Sequence, residues 1–209
     1  MQQRTLYPSH KREHPSIPLL TRDPLDRQIC RSGALTLAGL KTGSLFNWQC
    51  AKKALLDAWI DQVNQELAGR GLCFRRLGMR GDIHFLYLYR PRQLGADLLH
   101  PVAARILTPL GYAVSDPEEC LTRLFLRLNQ NDAYPHEIGL FLGFDPEDVL
   151  AYLQCGGRGG HCSGYWQVYG DEESAQALFQ RYRKCQECYR RLAATGKPLR
   201  FLAVSDEAS

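Results

Sequence analysis

The sequence predicts an α+β protein in which about seven helices pack on a small antiparallel sheet of about three strands. Capped segments with apolar residues at helical spacing recur along the chain, the pattern of amphipathic helices. Two runs of alternating residues flank a short glycine turn, the pattern of a β-hairpin. The chain has 209 residues, of which 44% are hydrophobic, and this is enough to form a sizeable core.

The two ends of the chain differ in composition from its centre. Residues 1–24 carry four prolines among charged side chains, which predicts a disordered, basic N-terminal tail. Residues 205–209, SDEAS, are small and acidic and are also predicted to be a tail. A single domain is therefore expected over residues 25–204.

The first elements of this domain are predicted to be helical. Residues 25–33, LDRQICRSG, indicate a short helix that ends at its glycine. The apolar stretch ALTLAGLKTGSLFNW follows and contains two glycines, which favour a buried helical turn and then a loop. Its KTGS segment lacks the glycine spacing of a phosphate-binding loop. Asn47 is predicted to cap a helix that extends to about Ala68.

Strands are predicted near residues 72–77, 83–90 and 164–169. The first two flank the turn sequence GMRGD and indicate a β-hairpin. Apolar and aromatic side chains of the second strand point to both faces, so this strand is expected to be central. His84 within it is interpreted as a core imidazole rather than a ligand.

The remaining helices are predicted from their caps and their apolar periodicity. Two short helices are expected on either side of Pro101, the second ending at Gly111. Asp116 and Asp145 each precede a proline and acidic residues, which is the pattern of a helix start. A long helix is predicted after Tyr169, with acidic residues in its first turn and basic residues later.

Composition argues against several classes of protein. No apolar run reaches the roughly 18 to 20 residues that span a bilayer, and the N-terminus lacks the apolar core of a secretory signal. We therefore expect a cytoplasmic protein without a membrane span. The net charge is +4, of which residues 1–31 contribute +3, so the folded part is nearly neutral and nucleic-acid binding is disfavoured.

Eight cysteines are many for a chain that lacks a secretory signal. They indicate buried thiols, a metal site or redox chemistry rather than a disulfide framework. Cys162, Cys185 and His161 are the candidate ligands of a zinc or iron–sulfur site, with Cys155 and Cys188 nearby in the sequence. Cys185 lies on an apolar helical stripe, where a packing cysteine is also expected.

A thiol enzyme is an alternative. Cys162 follows the flexible sequence GGRGGH, in which Arg158 and His161 would favour its thiolate. Cys162 would act with His136 as a base or with Cys185 as a redox partner. His136 and the adjacent glutamate do not form the HExxH motif of a zinc protease, because residue 140 is leucine.

A third candidate feature is the glycine loop CGGRGGHCSG. Its backbone N–H groups could form an anion nest, to which Arg158 would add charge. Arg158, His161, Trp166 and Tyr169 are therefore the candidate cofactor-binding residues. The loop leads from a helix into a strand, the opposite order to a dinucleotide fingerprint, and a flexible connector is the alternative interpretation.

The segments PHEIGLFLGFDPEDVLAYL and GYWQVYGDEE resemble blocks of an uncharacterised family of bacterial proteins of about this length. Members of that family carry PHEIGLFLGYPPEDV and GxWKVYGDE blocks, with TLAGLKTGSLF early in the chain and YRPR in the middle. The resemblance covers the range from about 25 to 204 and implies a domain-of-unknown-function family without an assigned activity. Positions that match the family pattern are His136, Glu137, Gly139, Gly143, Cys162, Trp166, Tyr169, Gly170 and Cys185.

The chain departs from that family at two positions. Family members often have cysteine where this chain has Gly33 and Tyr165, so a role that required either thiol cannot operate here. The pair of Cys162 and Cys185 is compatible with the family pattern.

Three functions remain open at this point. The first is an accessory protein that binds a metal, a redox cofactor, a small molecule or a protein partner through residues 134–170. The second is a thiol-dependent enzyme that uses Cys162 with His136 or Cys185. The third is a structural interaction module without chemistry.

Overall fold

The computed structural model describes residues 22–130 and 134–206. The greater part of the predicted N-terminal tail therefore lies outside the described residues. The elements, in chain order, are α1 (Arg22–Ser32), α2 (Ala34–Leu37), β1 (Gly43–Gln49), α3 (Lys53–Leu67), β2 (Cys73–Arg80), β3 (Ile83–Tyr89), α4 (Pro91–Leu98), α5 (Pro101–Leu107), α6 (Pro117–Gln130), α7 (Ile138–Phe141), α8 (Pro146–Cys155), β4 (Cys162–Ser163), β5 (Gln167–Val168), α9 (Glu172–Ala193) and α10 (Leu199–Leu202).

The α+β prediction is confirmed. Seven helices of seven or more residues lie in the described ranges, and the main sheet is antiparallel with the strand order β1–β3–β2. β2 and β3 form the predicted hairpin, and β3 is the central strand. Of these helices, none has the length and apolar composition that a membrane crossing requires.

The prediction for residues 43–49 was wrong, because this segment is strand β1 and not a loop. It pairs antiparallel with β3, with Gly43 opposite Tyr89 and Asn47 opposite Phe85, so Asn47 is not a helix cap. α3 begins only at Lys53. The glycine that suggested a loop serves close packing, since a side chain at Gly43 would collide with the ring of Tyr87.

The prediction that residues 164–169 form a strand of the main sheet was also wrong. Only residues 167–168 are extended there, and they pair with residues 162–163 in a separate two-stranded ribbon, β4–β5. Hydrogen bonds from this segment to α8 hold it away from the edges of the main sheet, as described below.

The two faces of the main sheet each support a hydrophobic core. Tyr87 and Tyr89 of β3 pack with α4 to α8 and with the β4–β5 ribbon, whereas Leu86 and Leu88 pack with α1, α3 and α10. His84 is buried, and its Nε2 lies 2.9 Å from the carbonyl oxygen of Cys50, as a core imidazole would. Burial on both faces accounts for the nearly continuous apolar sequence of β3.

A buried arginine joins the end of β3 to α2 and to the C-terminal segment. The guanidinium of Arg90 donates to the carbonyl oxygens of Thr36 (2.9 Å), Leu37 (3.0 Å) and Val204 (2.8 Å), and it forms an ion pair with Asp206. The backbone N–H of Arg90 donates to the carbonyl of Thr42 at 2.9 Å. Asp206, in the segment predicted to be a tail, is thus held against the fold.

We expect Arg90→Met to lower the free energy of unfolding by about 3–5 kcal/mol, because it leaves buried carbonyl groups and Asp206 without their donor. Urea denaturation measures this loss. Arg92→Met, at an exposed position two residues later, is the matched control and should change stability by less than about 0.5 kcal/mol. Equal losses for the two variants would contradict the role assigned to Arg90.

Candidate functional site

Residues 134–170 form a cleft between α7, α8 and the β4–β5 ribbon. The side chain of Asp145 accepts hydrogen bonds from the backbone N–H groups of Glu147 (2.9 Å) and Asp148 (3.2 Å) and so caps α8. The predicted cap is therefore confirmed. This cap geometry turns the side chain of Asp148, in the first turn of α8, towards the protein interior. Asp148 is 5% exposed there.

The carboxylate of Asp148 organises one side of the cleft. One oxygen accepts from the backbone N–H groups of Tyr169 (2.7 Å) and Gly170 (3.0 Å). The other accepts from the indole Nε1–H of Trp166 at 2.7 Å. A buried carboxylate with three donors is fully satisfied, so Asp148 fastens the ribbon to α8 and sets the orientation of the indole.

Aromatic rings form the base of the cleft. Phe144 stacks on Trp166 with 5.1 Å between ring centroids, and Trp166 meets Phe179 of α9 edge-on at 4.8 Å. Such contacts each add about 0.5–1.5 kcal/mol beyond area burial and hold the rings in place. The residues that line the cleft are His136, Phe144, Asp148, Val149, Tyr152, Trp166 and Gln167.

His136 lies on the rim of the cleft. It is exposed, and its imidazole packs against the ring of Tyr152 at 5.1 Å between centroids. The next residue, Glu137, is buried and accepts hydrogen bonds from Tyr112 (3.0 Å) and Arg127. Glu137 therefore holds the turn in place as the buried ion-pair partner of Arg127. Of these two adjacent residues, only His136 faces solvent.

Tyr169 contributes a hydroxyl to the same region. Its oxygen is buried and has no hydrogen-bond partner among the residues that the structure describes. Desolvation, followed by the charges of Cys155, Tyr152 and Asp148, raises the pKa of this phenol. A buried polar atom without a partner is uncommon and indicates space for a water molecule or a ligand atom.

Lys41 approaches the cleft from the loop between α2 and β1. Its side chain is 8% exposed, and its Nζ lies 4.8 Å from the centroid of the Phe144 ring. Burial lowers the pKa of this amine to about 7. Desolvation is the cause of this shift, and it outweighs the contact between the ammonium and the Phe144 ring.

The predicted sulfur site does not assemble in the described part of the chain. All eight cysteines are free thiols, and no group of three or more His, Cys, Asp or Glu side chains there could hold a metal ion. Cys162 and Cys185 are both half-buried, Cys162 in β4 and Cys185 in α9. His161 is exposed, with its Nδ1 3.1 Å from the carbonyl oxygen of Gly170.

The environment of Cys162 differs from the one expected of a reactive thiol. Desolvation, together with the charges of Glu172 and Asp148, raises the pKa of Cys162, whereas Arg158 and His161 were expected to favour the thiolate. Among the described residues, no hydrogen bond joins His136 to a thiol.

The glycine loop runs over Tyr152 and ends at the β4–β5 ribbon. A side chain at Gly157 would contact the ring of Tyr152, so the loop and His136 both pack on this ring. Arg158 is exposed, and its backbone N–H donates to the carbonyl of Cys155 at 3.3 Å. The structure thus brings the loop, His136, Trp166 and Tyr169 to one region.

Four site residues were missed from the sequence: Lys41, Phe144, Asp148 and Tyr152. From the sequence, Asp148 was only one of the acidic residues that mark a helix start, and the fold reveals its three donors. Lys41 had a usable signal, because it is the only charged residue in the apolar stretch ALTLAGLKTGSLF.

Comparison with known families identifies the relatives of the chain. A family described as a protein of unknown function, DUF3793, matches residues 29–203. The chain belongs to the DUF3793 family. This membership confirms the resemblance to an uncharacterised family, while the bacterial origin of its members stays a prediction. Searches of curated proteins and of solved structures found no match to this DUF3793 protein.

We expect Lys41→Met to stabilise the DUF3793 protein near neutral pH. The pKa of Lys41 falls from 10.5 in the unfolded chain to about 7 in the fold, so folding releases a proton between these values. The penalty is complete below pH 7 and disappears as the pH rises towards 10.5. The gain in unfolding free energy should be of the order of 2–4 kcal/mol at pH 7 and smaller at pH 9.5.

Urea denaturation of wild type and variant at both pH values measures the difference. Lys184→Met, at an exposed position on α9, is the control and should show no such pH dependence. A gain for Lys41→Met that is equal at pH 7 and pH 9.5 would contradict the lowered pKa.

Proposed function

We propose that this DUF3793 protein is an accessory protein that binds a small molecule in the cleft between Phe144, Tyr152 and Trp166. One observation carries the proposal: a concave site with an aromatic base and polar groups on its rim is built from segments far apart in the sequence. Sites of this kind, mostly apolar with a few convergent polar groups, are where small molecules bind.

The cleft is preformed. Asp148 holds the indole of Trp166 from one side, and Phe179 supports it from another. Because these groups are already ordered, a ligand would not lose affinity to their rearrangement. His136 and Gln167 supply exposed or half-exposed polar groups at the rim, which would orient the ligand.

The size of the cleft restricts the ligand. Its free volume is about 10 Å³, which is room for about one water molecule. A ligand would therefore lie on the mouth of the cleft, against the exposed or half-exposed side chains of His136, Tyr152 and Gln167, and not inside it. A zinc or iron–sulfur version of the function stays a prediction without a ligand cluster in the described residues to support it.

The alternative of a thiol enzyme receives little support from the surroundings of Cys162. Desolvation and then the charges of Glu172 and Asp148 raise the pKa of this thiol and so disfavour the thiolate, which is the nucleophile of such enzymes. Cytoplasmic location stays a prediction from the sequence.

We expect Cys162 to react with iodoacetamide at pH 7 more slowly than exposed Cys155, because a raised pKa reduces the thiolate fraction and the thiol is half-buried. Peptide mass spectrometry of briefly treated, folded protein gives both rates, and Cys188 is a second exposed reference. Faster labelling of Cys162 than of Cys155 and Cys188 would contradict this expectation and support the thiol-enzyme alternative.

The binding proposal is tested with the indole N–H resonances of ¹⁵N-labelled protein. The chain has three tryptophans, of which Trp48 and Trp59 pack against each other on the opposite face of the main sheet. A library of several hundred single-ring and short-chain compounds is screened for shifts of these signals. We expect binders to move the Trp166 resonance and to leave those of Trp48 and Trp59 in place.

The control variant is Tyr152→Ala, which removes one wall of the cleft without touching the bonds of Asp148. Binders should lose at least about tenfold in affinity for it, as expected when a buried aromatic contact is removed. A library that yields no compound acting at Trp166, or compounds whose affinity Tyr152→Ala leaves unchanged, would reject the cleft and favour a structural interaction module.

A further inference from the structure

Positive charge is concentrated in the C-terminal half of α9 and in the segment that follows it. Residues 181–200 contain seven basic side chains and one acidic side chain, a net charge of +6, whereas residues 22–180 contain sixteen and eighteen, a net charge of −2. The nearly neutral sum over the fold, which disfavoured nucleic-acid binding, conceals this separation. The seven basic residues are all exposed: Arg181, Arg183, Lys184, Arg190, Arg191, Lys197 and Arg200.

The helical repeat arranges four of these side chains in two rows along α9. Arg183 and Arg190 are seven residues apart, and so are Lys184 and Arg191. Seven residues are close to two turns of an α-helix, so each pair lies on one side of α9 with about 10 Å between its members. The other side of α9 packs in the core, and both rows therefore face solvent.

The ordinary structural roles of basic side chains account for only two of the seven. Arg190 and Arg191 form ion pairs with Glu187 at 2.9 Å and 3.1 Å, and they lie in the last turn of α9, where a cation compensates the helix dipole. The other five form no ion pair or hydrogen bond with the residues that the structure describes: Arg181, Arg183, Lys184, Lys197 and Arg200. Their charges are available to a partner.

An aromatic ring is exposed beside these charges. Phe201 of α10 is 63% exposed, and the guanidinium carbon of Arg200 lies 4.6 Å from the centroid of its ring. The hydroxyl of Tyr189 donates to the carbonyl of Leu202 at 2.5 Å, so α10 is held against the C-terminal part of α9. An exposed ring among basic side chains is the kind of surface on which an unpaired nucleic-acid base stacks.

We propose that the basic surface, formed by residues 181–200 together with Phe201, binds the phosphate backbone of a single-stranded nucleic acid. Arginine and lysine side chains displace the counterions of the phosphates, which gives binding that does not depend on base sequence. Phe201 takes an unpaired base, which a duplex does not offer. An acidic protein segment would use the charges but not the ring, so the ring favours the nucleic acid.

The basic surface is separate from the cleft, because it contains none of the residues that line the cleft. The inference therefore goes beyond the proposed function and does not depend on it.

Fluorescence anisotropy of labelled polyanions tests the proposal. Full-length protein is titrated into single-stranded RNA and single-stranded DNA of about 12 nucleotides, a duplex of the same sequence and poly-glutamate, each at several salt concentrations. We expect the single strands to bind at least about fivefold more tightly than the duplex and poly-glutamate. The logarithm of their affinity should fall with the logarithm of the salt concentration with a slope of about −3.5, since each of five phosphate contacts contributes about 0.7.

Two double variants locate the binding site. Arg183→Gln with Lys184→Gln removes two charges from the basic surface and should make the slope shallower by about 1.4. Lys52→Gln with Lys53→Gln, the matched control, removes two charges from an exposed pair at the start of α3 and should leave the slope unchanged. Residues 1–21 carry a net charge of +2 and are present in both variants, so any contribution from them is the same.

A third variant, Phe201→Ala, removes the ring and keeps every charge. It should weaken the binding of single strands by at least about fivefold and leave the salt slope unchanged, because stacking displaces no counterion. The ring is exposed, so this variant is expected to fold, and its urea midpoint verifies that it does.

Four results would reject the proposal. They are no binding of single strands at about 50 mM salt, equal affinity for poly-glutamate or the duplex, equal slopes for the two double variants, and affinity that Phe201→Ala leaves unchanged. Equal affinity for poly-glutamate would assign the basic surface to acidic proteins instead, and equal slopes would place the binding site elsewhere in the chain. Each result leaves the cleft to its own test at the Trp166 resonance.

Discussion

The buried guanidinium of Arg90 is the interaction on which the arrangement of this DUF3793 protein most depends. It lies where central strand β3 ends and α4 begins, and it binds carbonyl groups of α2 and of the C-terminal segment together with Asp206. Its own N–H holds the carbonyl of Thr42, next to Lys41. Desolvating a guanidinium is costly, and here its donors meet several acceptors in return. The loop that contains Lys41 is thereby bonded to the end of the central strand, β3.

Asp148 plays the corresponding part on the other side of the cleft. Both groups are charged, buried and fully bonded, and each joins segments that are distant in the sequence. Lys41 differs from them because its Nζ lies over the ring of Phe144, 4.8 Å from the centroid, and burial lowers the pKa of its amine to about 7. Buried charges with hydrogen-bond partners stabilise the fold, because those hydrogen bonds offset the free energy lost on desolvation. The ammonium of Lys41 instead lowers the stability of the fold below pH 7, because its pKa is lower in the fold than in the unfolded chain.

Local sequence patterns correctly predicted the elements that depend on contacts between residues close in the chain. The hairpin of β2 and β3 and the capped helices α6 and α8 follow from turn residues, Asp116 and Asp145, and all are present. Failures occurred where a distant contact decides. Gly43 suggested a loop, yet the small residue makes room for Tyr87 across a strand pair. The segment 164–169 alternates like a sheet strand, but its bonds to Asp148 draw it onto α8. In the candidate site, Trp166 and Tyr169 were anticipated, while Lys41 and Asp148 were not, because burial and partners are tertiary properties.

The row of groups from Lys41 through Phe144 to Trp166 has an optical consequence. The indole is buried, its N–H is bound to one charge, and a second charge comes and goes on the far side of a single phenyl ring. Emission from an indole shifts in an electric field, so the colour of Trp166 fluorescence should follow the ionisation of the amine. The protein would then carry its own indicator of whether that amine is protonated or free.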